Sequence, residues 1–254
     1  MKGKSPRNVA ASVRLRLLDK ARTDKHTFNE LLQDYAMERF LYRLSRSPLA
    51  GRFVLKGALM LRVWESPMPR ATMDIDLLGR TSHREGDLIA QVREILSTEV
   101  GPDGLVFDTD SLRLERITKD TDYEGIRLRL RGSLDTARIA LQVDIGFGGP
   151  VYPSPQEADF PGLLDFPAPR LLCYSRESTI AEKFEAMVEF GRLNSRTKDF
   201  YDIWLLSRRF DFNGVDLAEA IRLTLEATSD FNQFMYPLYE LQQLAFVASP
   251  LNKV

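Results

Sequence analysis

Apolar and polar positions alternate with three different rhythms along the chain. Val9, Val13, Leu17 and Leu18 recur at helical spacing. Thr27-Phe28-Asn29-Glu30 then has the spacing of a capping box, ahead of a second amphipathic helix through Leu31, Tyr35, Phe40, Leu41 and Leu44 that Pro48 ends. From residue 51 the period shortens. Phe53-Val54-Leu55 makes a short apolar strand running into Lys56-Gly57-Ala58, with a brief helix over 59–64 and a turn holding Pro67 and Pro69. A strand through Asp74 and Asp76 follows, then a helix around 84–98 and strands near 105–108, 111–117 and 125–132. Residues 138–145 alternate cleanly as a further strand. The stretch 147–170 holds six of the thirteen prolines, as a loop or an interdomain crossing would. After a short strand at 171–174, Thr179-Ile180-Ala181-Glu182 has capping-box spacing again, with Ile180, Phe184, Met187 and Val188 on the apolar side of its helix. A second helix begins near Thr197 and weaker helices fill 215–247.

Helices, then a mostly antiparallel sheet with helices, then helices: this order makes the chain α+β. The expected organisation is N-terminal helices over 1–50 packing on a core at 51–150, followed by a mainly helical domain over 151–254. At 254 residues there is enough chain for a sizeable core, and 44% hydrophobic with 28% charged residues is ordinary for a water-soluble globular protein. Cys173 is the single cysteine, which excludes an intrachain disulfide and fits a reducing compartment. The N-terminal residues lack an apolar core of signal-peptide length, and no run reaches the roughly 18 to 20 apolar residues that cross a bilayer. A cytoplasmic, monomeric protein without membrane contact is expected.

The net charge of −1 carries no global signature of nucleic-acid binding. It is uneven, however. Residues 1–26 hold eight lysines and arginines against Asp19 and Asp24, which makes either a solvated helix face with a basic tail or a patch that meets phosphates. In 126–131, Arg127, Arg129 and Arg131 alternate with apolar residues and line one strand face. Such a row contacts an RNA backbone or pairs across strands with acids such as Glu115.

Candidate chemistry begins at Asp74 and Asp76. An acid-x-acid pair is weak alone, since 36 acidic residues in 254 produce about five by composition. Asp108/Asp110 and Asp120/Asp122 are such pairs in loop-like sequence. Asp74 and Asp76 differ because a strand among Ile75, Leu77 and Leu78 projects both side chains to one face, where bare like charges repel. On the later strand Ile139, Leu141, Val143 and Ile145 face one way while Ala140, Gln142 and Asp144 face the other. If the two strands are neighbours, three carboxylates converge, a set that suits Mg²⁺; otherwise Asp144 merely caps its strand. Lys56-Gly57-Ala58, between strand and helix, has the form of a phosphate-binding turn, though such turns are common. Lys183 lies beside the apolar stripe of its helix and either reaches inward or snorkels to water. Asp199 and Asp202 share a helix face, and Lys198 sits four residues before Asp202, the spacing of an ordinary ion pair.

Strand–Lys-Gly–helix, Arg-x-Thr-x-Asp-Ile-Asp, a lone later strand Asp, Ala-Glu-Lys-x-x-Ala and Arg-x-Lys-Asp-x-x-Asp occur here in that order, from about Asn8 to Leu206. Together they resemble the AbiEii/AbiGii-type nucleotidyltransferase toxins of abortive-infection toxin–antitoxin systems, which include the MenT enzymes and belong to the DNA polymerase β-like superfamily. The resemblance implies a nucleotidyltransferase-like mixed sheet flanked by helices. It implies metal binding by Asp74 and Asp76, with Asp144 as the third carboxylate, and triphosphate binding at Lys56, Gly57 and Ala58. Thr72 occupies the hydroxyl position before the acidic pair, a site of phosphorylation in some relatives. Lys183, Asp199 and Asp202 match further catalytic or nucleotide-contacting positions. One departure is Gly57-Ala58 where relatives have Gly-Gly or Gly-Ser, so a serine hydroxyl is missing.

The activity so implied uses two Mg²⁺ ions and an NTP as substrate, and transfers NMP to RNA, the tRNA 3′ end, blocking translation. An antitoxin encoded nearby is the implied partner. The alternatives are transfer to a protein hydroxyl and a non-catalytic nucleotide-binding regulator.

Overall fold

The helical spacing at the N terminus produces α1 (Val9–Asp24) and α2 (Phe28–Arg46). Asn8 caps the first by accepting from the Ala11 amide, and Thr27 and Glu30 close the expected capping box on the second. The computed structural model describes residues 8–65, 72–118, 124–190 and 197–227. The Pro67/Pro69 turn, Arg70, Asp120/Asp122, Arg196 and the helices expected beyond 227 lie outside these.

The described chain divides into two compact units. One comprises residues up to Gly148 together with Pro155–Tyr174, the other Gly149–Ser154 together with the residues from Ser175 onward. In the first unit, α1, α2, α3 (Met60–Val63) and α4 (Glu85–Ser97) accompany one sheet. Its strands are β1 (Phe53–Lys56), β2 (Asp74–Gly79), β3 (Leu105–Thr118), β4 (Glu124–Leu134), β5 (Ala137–Phe147), β6 (Gln156–Asp159) and β7 (Arg170–Cys173). Their order is β3-β4-β5-β2-β1-β7-β6. β2 runs parallel to β5 and β1 parallel to β7, while the other neighbours are antiparallel. The sheet is therefore mixed.

Two expectations change. The two strands near 105–108 and 111–117 are one, β3, whose register against β4 shifts between Asp108 and Arg113. Asp108 and Asp110 sit in that irregularity rather than in a loop. The proline-rich stretch also contains β6, a polar edge strand of four residues beside β7, with Phe160 buried just after it. Prolines flank the strand without interrupting it, which an edge position tolerates.

The main core lies between the sheet and α2 and α4, and includes Phe40, Leu41, Leu55, Ile75, Val92, Val143 and Ile145. A second cluster joins α1 and α2 to the far ends of β4 and β5 through Val13, Leu17, Tyr35, Leu134 and Ile139. Buried charges lock α2 in place. Arg43 grips Asp103 at 2.8 and 3.1 Å, and the Tyr35 hydroxyl donates to the Asp103 carbonyl at 2.8 Å. Glu38 accepts from the Leu163 amide at 2.7 Å and pairs with Arg39, which also donates to the Pro167 carbonyl. Burial pushes the Glu38 carboxyl up from its ordinary value.

Cys173 is buried on β7, and burial pushes its thiol up to about 12. The thiolate is the reactive form, so at pH 8 the folded chain is expected to resist iodoacetamide and to be alkylated only in denaturant. Labelling at equal rates in both states would contradict this burial.

The second unit contains α5 (Arg176–Phe190), α6 (Thr197–Arg209) and α7 (Gly214–Glu226). The start of α5 corrects the expected cap. Ser175, not Thr179, accepts from the Ser178 amide at 3.0 Å, and the Thr179 hydroxyl donates back to the Ser175 carbonyl at 3.1 Å. The helix begins about a turn earlier, which places Lys183 about two turns inside it.

Candidate active site

Register across the sheet decides what the carboxylates meet. Asp76 on β2 is the partner of Asp144 on β5, Arg127 on β4 is the partner of Asp144, and Lys56 on β1 is the partner of Asp76. Paired positions share a face, so Arg127, Asp144, Asp76 and Lys56 form one row over four adjacent strands, with a cation at each end of two anions. Asp74 is two residues along β2 on the same face. Each of Asp74, Asp76 and Asp144 offers a carboxylate oxygen within 4.8 Å of the others, and all three are half-buried. The neighbouring Ile75, Leu77, Val143 and Ile145 are buried on the opposite face, as their alternation requires.

Arg127 holds Asp144 through both oxygens, Nε to Oδ1 at 2.9 Å and Nη2 to Oδ2 at 2.7 Å, a planar fork-to-fork pair. Its hydrogen bonds to Asp144 hold the guanidinium above its ordinary range. Asp144 thus lies within β5 and does not cap the strand end. The Lys56 ammonium lies over the sheet, 3.7 Å from where a β-carbon on Gly146 would stand and 5.5 Å from the Tyr174 ring centre.

Gly57 has the left-handed φ of +71°, and a β-carbon there would come within 2.0 Å of Asp76 Oδ2. The glycine is needed to admit this carboxylate beside the turn, whatever else the turn binds. Residues 57–59 form a single 3₁₀ turn before α3, and Ala58 is buried in it. The buried Thr72 hydroxyl donates to Asp74 Oδ1, fixing the first carboxylate from its own segment.

In the second unit Lys183 on α5 faces inward. Its ammonium meets Asp199 at 2.9 Å and Asp202 at 2.7 Å on α6. Asp202 therefore pairs across helices with Lys183, not along its own helix with Lys198. The reason is burial: Asp202 is 1% exposed, a depth that Lys183 reaches from the facing helix.

The arginine row resolves into cross-strand pairs. Beyond Arg127, Arg129 meets Glu115 and Arg131 meets Asp108, both at 3.4 Å and both exposed. The basic helix α1 is also largely paired, Arg16 with Asp165, Lys20 with Asp24 and Arg22 with Asp19. Arg127 belongs with the site residues, and sequence reasoning placed it only among phosphate-binding or structural arginines. The available signal was the shared alternation of Arg127 and Asp144 on neighbouring strands.

A sequence model of the nucleotidyl transferase AbiEii toxin of type IV toxin–antitoxin systems matches residues 39–252. The chain belongs to the AbiEii nucleotidyltransferase toxin family. No curated protein matches it. Of solved structures, the Helicobacter pylori protein JHP933 aligns at a TM-score of 0.49 with 17% identity, over 82% of this chain and 77% of that one. A Helicobacter pylori protein described provisionally as a nucleotidyltransferase aligns at 0.47 with 18% identity, over 81% and 79%. The AbiEii match spans both units, from α2 through α7 and beyond. No helix among the described residues is long and apolar enough to cross a membrane.

Proposed function

We propose that this AbiEii chain is a cytoplasmic Mg²⁺-dependent toxin that transfers NMP from an NTP to the 3′ end of tRNA and so blocks translation. The observation that carries the reading is the convergence of Asp74, Asp76 and Asp144 in a chain of a nucleotidyltransferase family. Three half-buried carboxylates with facing oxygens fit a hard divalent cation, because hard cations take oxygen ligands and Mg²⁺ shares them with substrate phosphates. Asp74, Asp76 and Asp144 would hold the metal. When bound, Mg²⁺ neutralises phosphate charge and lowers the pKa of a coordinated hydroxyl.

The remaining roles fall to the chain's own groups. In the step proposed, the acceptor's 3′ oxygen forms a bond to the α-phosphorus, the α–β phosphoanhydride bond breaks, and pyrophosphate leaves. The acceptor proton passes to the Asp144 carboxylate, whose plane Arg127 fixes. Lys56, at the end of the row, places positive charge beside Asp76 and against the triphosphate, where charge neutralisation contributes most. Thr72 keeps Asp74 in one orientation. Lys183, held by Asp199 and Asp202, is a further proposed catalytic or nucleotide-contacting group. An antitoxin, the counterpart of a type IV toxin, would oppose this activity in the cell.

The test uses each NTP labelled at the α-phosphorus, Mg²⁺ and total tRNA. Label is expected on tRNA with the wild-type chain and not with Asp74→Ala. Label on protein would move the acceptor to a side-chain hydroxyl. No product with any NTP would overturn the enzymatic reading in favour of a nucleotide-binding regulator.

Arg127→Lys is expected to lower kcat by about 10- to 100-fold, the range of groups that orient metal ligands, with an unchanged unfolding midpoint. Lysine keeps the charge but cannot hold both Asp144 oxygens. Full activity would show that Arg127 does not position Asp144.

A further inference from the structure

The outward face of α6 carries aromatic residues where a surface helix is ordinarily polar. Phe200 and Trp204 are 48% and 52% exposed, one turn apart, and Tyr201 stands beside Trp204 with ring centres 5.9 Å apart. The helix has no shortage of apolar residues for its packed side, since Leu205 and Leu206 are buried there. The aromatics are therefore surplus to the packing of the second unit.

The exposed charges on the helix itself are of one sign. Arg208 follows Trp204 by four residues, on the same face, and Lys198 is exposed in the first turn. Neither is in an ion pair among the described residues. The two acids of the helix, Asp199 and Asp202, are turned away and held by Lys183. Aromatic rings beside exposed cations, on a helix whose own two carboxylates are turned inward and whose next acid, Asp211, lies past its end, match the two surfaces of a single-stranded nucleic acid, stackable bases and phosphates. An apolar protein partner matches less well, because it would have to desolvate Arg208 without supplying an anion.

We infer that the α6 face bearing Phe200, Tyr201, Trp204 and Arg208 is a stacking platform for single-stranded RNA. The inference extends the RNA-acceptor reading above by naming a surface that holds the acceptor. The rings take bases without regard to sequence, and Arg208 takes the backbone.

The test measures anisotropy of a fluorescein-labelled single-stranded RNA with a free 3′ hydroxyl, using the full chain and no NTP. Trp204→Ala is expected to weaken binding roughly 5- to 100-fold, the range of one lost base stack, and Trp204→Phe to restore most of it. Arg208→Ala is expected to weaken binding and reduce its salt dependence by about one phosphate contact. Val215→Ala, which trims an exposed apolar residue on α7, is expected to bind as the parent does.

Equal affinity of the parent and Trp204→Ala would overturn the platform. So would a parent dimer that Trp204→Ala converts to monomer in sedimentation without loss of RNA affinity, which would assign the face to a second copy. RNA binding that depends on Trp204, in a wild-type chain that transfers no nucleotide, would support the platform and defeat only the transfer reading.

Discussion

Asp76→Asn is expected to lower nucleotidyl transfer by about 10³-fold, equivalent to about 4 kcal/mol of lost transition-state stabilisation. Asp76 sits at the centre of the row, between Asp144 and Lys56 in register and two residues from Asp74. Asparagine keeps the shape and one oxygen but removes the charge that a divalent cation requires. Every other group of the site would remain, so the loss isolates that charge. Because the side chain is half-buried and isosteric, the unfolding midpoint should move little. A steady-state rate with labelled NTP and acceptor, together with a thermal melt, measures both quantities. A rate within threefold of wild type would remove Asp76 from the machinery.

Gly57→Ala is expected to destabilise the chain by about 2–5 kcal/mol and to depress transfer as well. Two costs combine. The left-handed φ of +71° penalises any β-carbon by roughly 1–2 kcal/mol, and contact with Asp76 at 2.0 Å forces either the turn or the carboxylate to move, at about 1–3 kcal/mol. Urea unfolding of a double-mutant cycle separates them. In an Asp76→Gly background the contact vanishes, so Gly57→Ala should then cost only the backbone part. An equal cost in both backgrounds would show that the glycine serves the backbone alone.

Much of this arrangement is legible in the sequence. Alternation placed Asp74 with Asp76 and put Asp144 on the polar face of its strand, because a strand's period of two is a local property. What alternation does not encode is which strands are neighbours and in what register. The parallel pairing of β2 with β5 joins segments separated by the whole of β3 and β4, and it is this pairing that sets Asp76 beside Asp144. The same register places Arg127 against Asp144, so its role could not be separated from those of Arg129 and Arg131, which have the same spacing but sit two and four residues further along. Gly57 reads in the sequence as part of a phosphate turn, and its approach to the Asp76 carboxylate of another strand, which requires glycine in addition, is not encoded locally.

Local signals misled where several were available at once. Thr179 satisfied the capping-box spacing, yet Ser175 caps the helix, and the threonine hydroxyl is spent on the Ser175 carbonyl. Lys198 and Asp202 had the spacing of an ion pair, but depth assigned Asp202 to Lys183. β6 was hidden because an edge strand of Gln-Glu-Ala-Asp has neither apolar alternation nor β-branched residues to announce it.

The most direct test of the account is calorimetric titration of Mg²⁺ into the nucleotide-free chain, where no triphosphate competes for the ion. The wild-type chain is predicted to take up the ion in a saturable step that Asp74→Asn and Asp144→Asn each abolish with an unchanged unfolding midpoint. Undiminished Mg²⁺ uptake by both variants would contradict the claim that these carboxylates form the metal site.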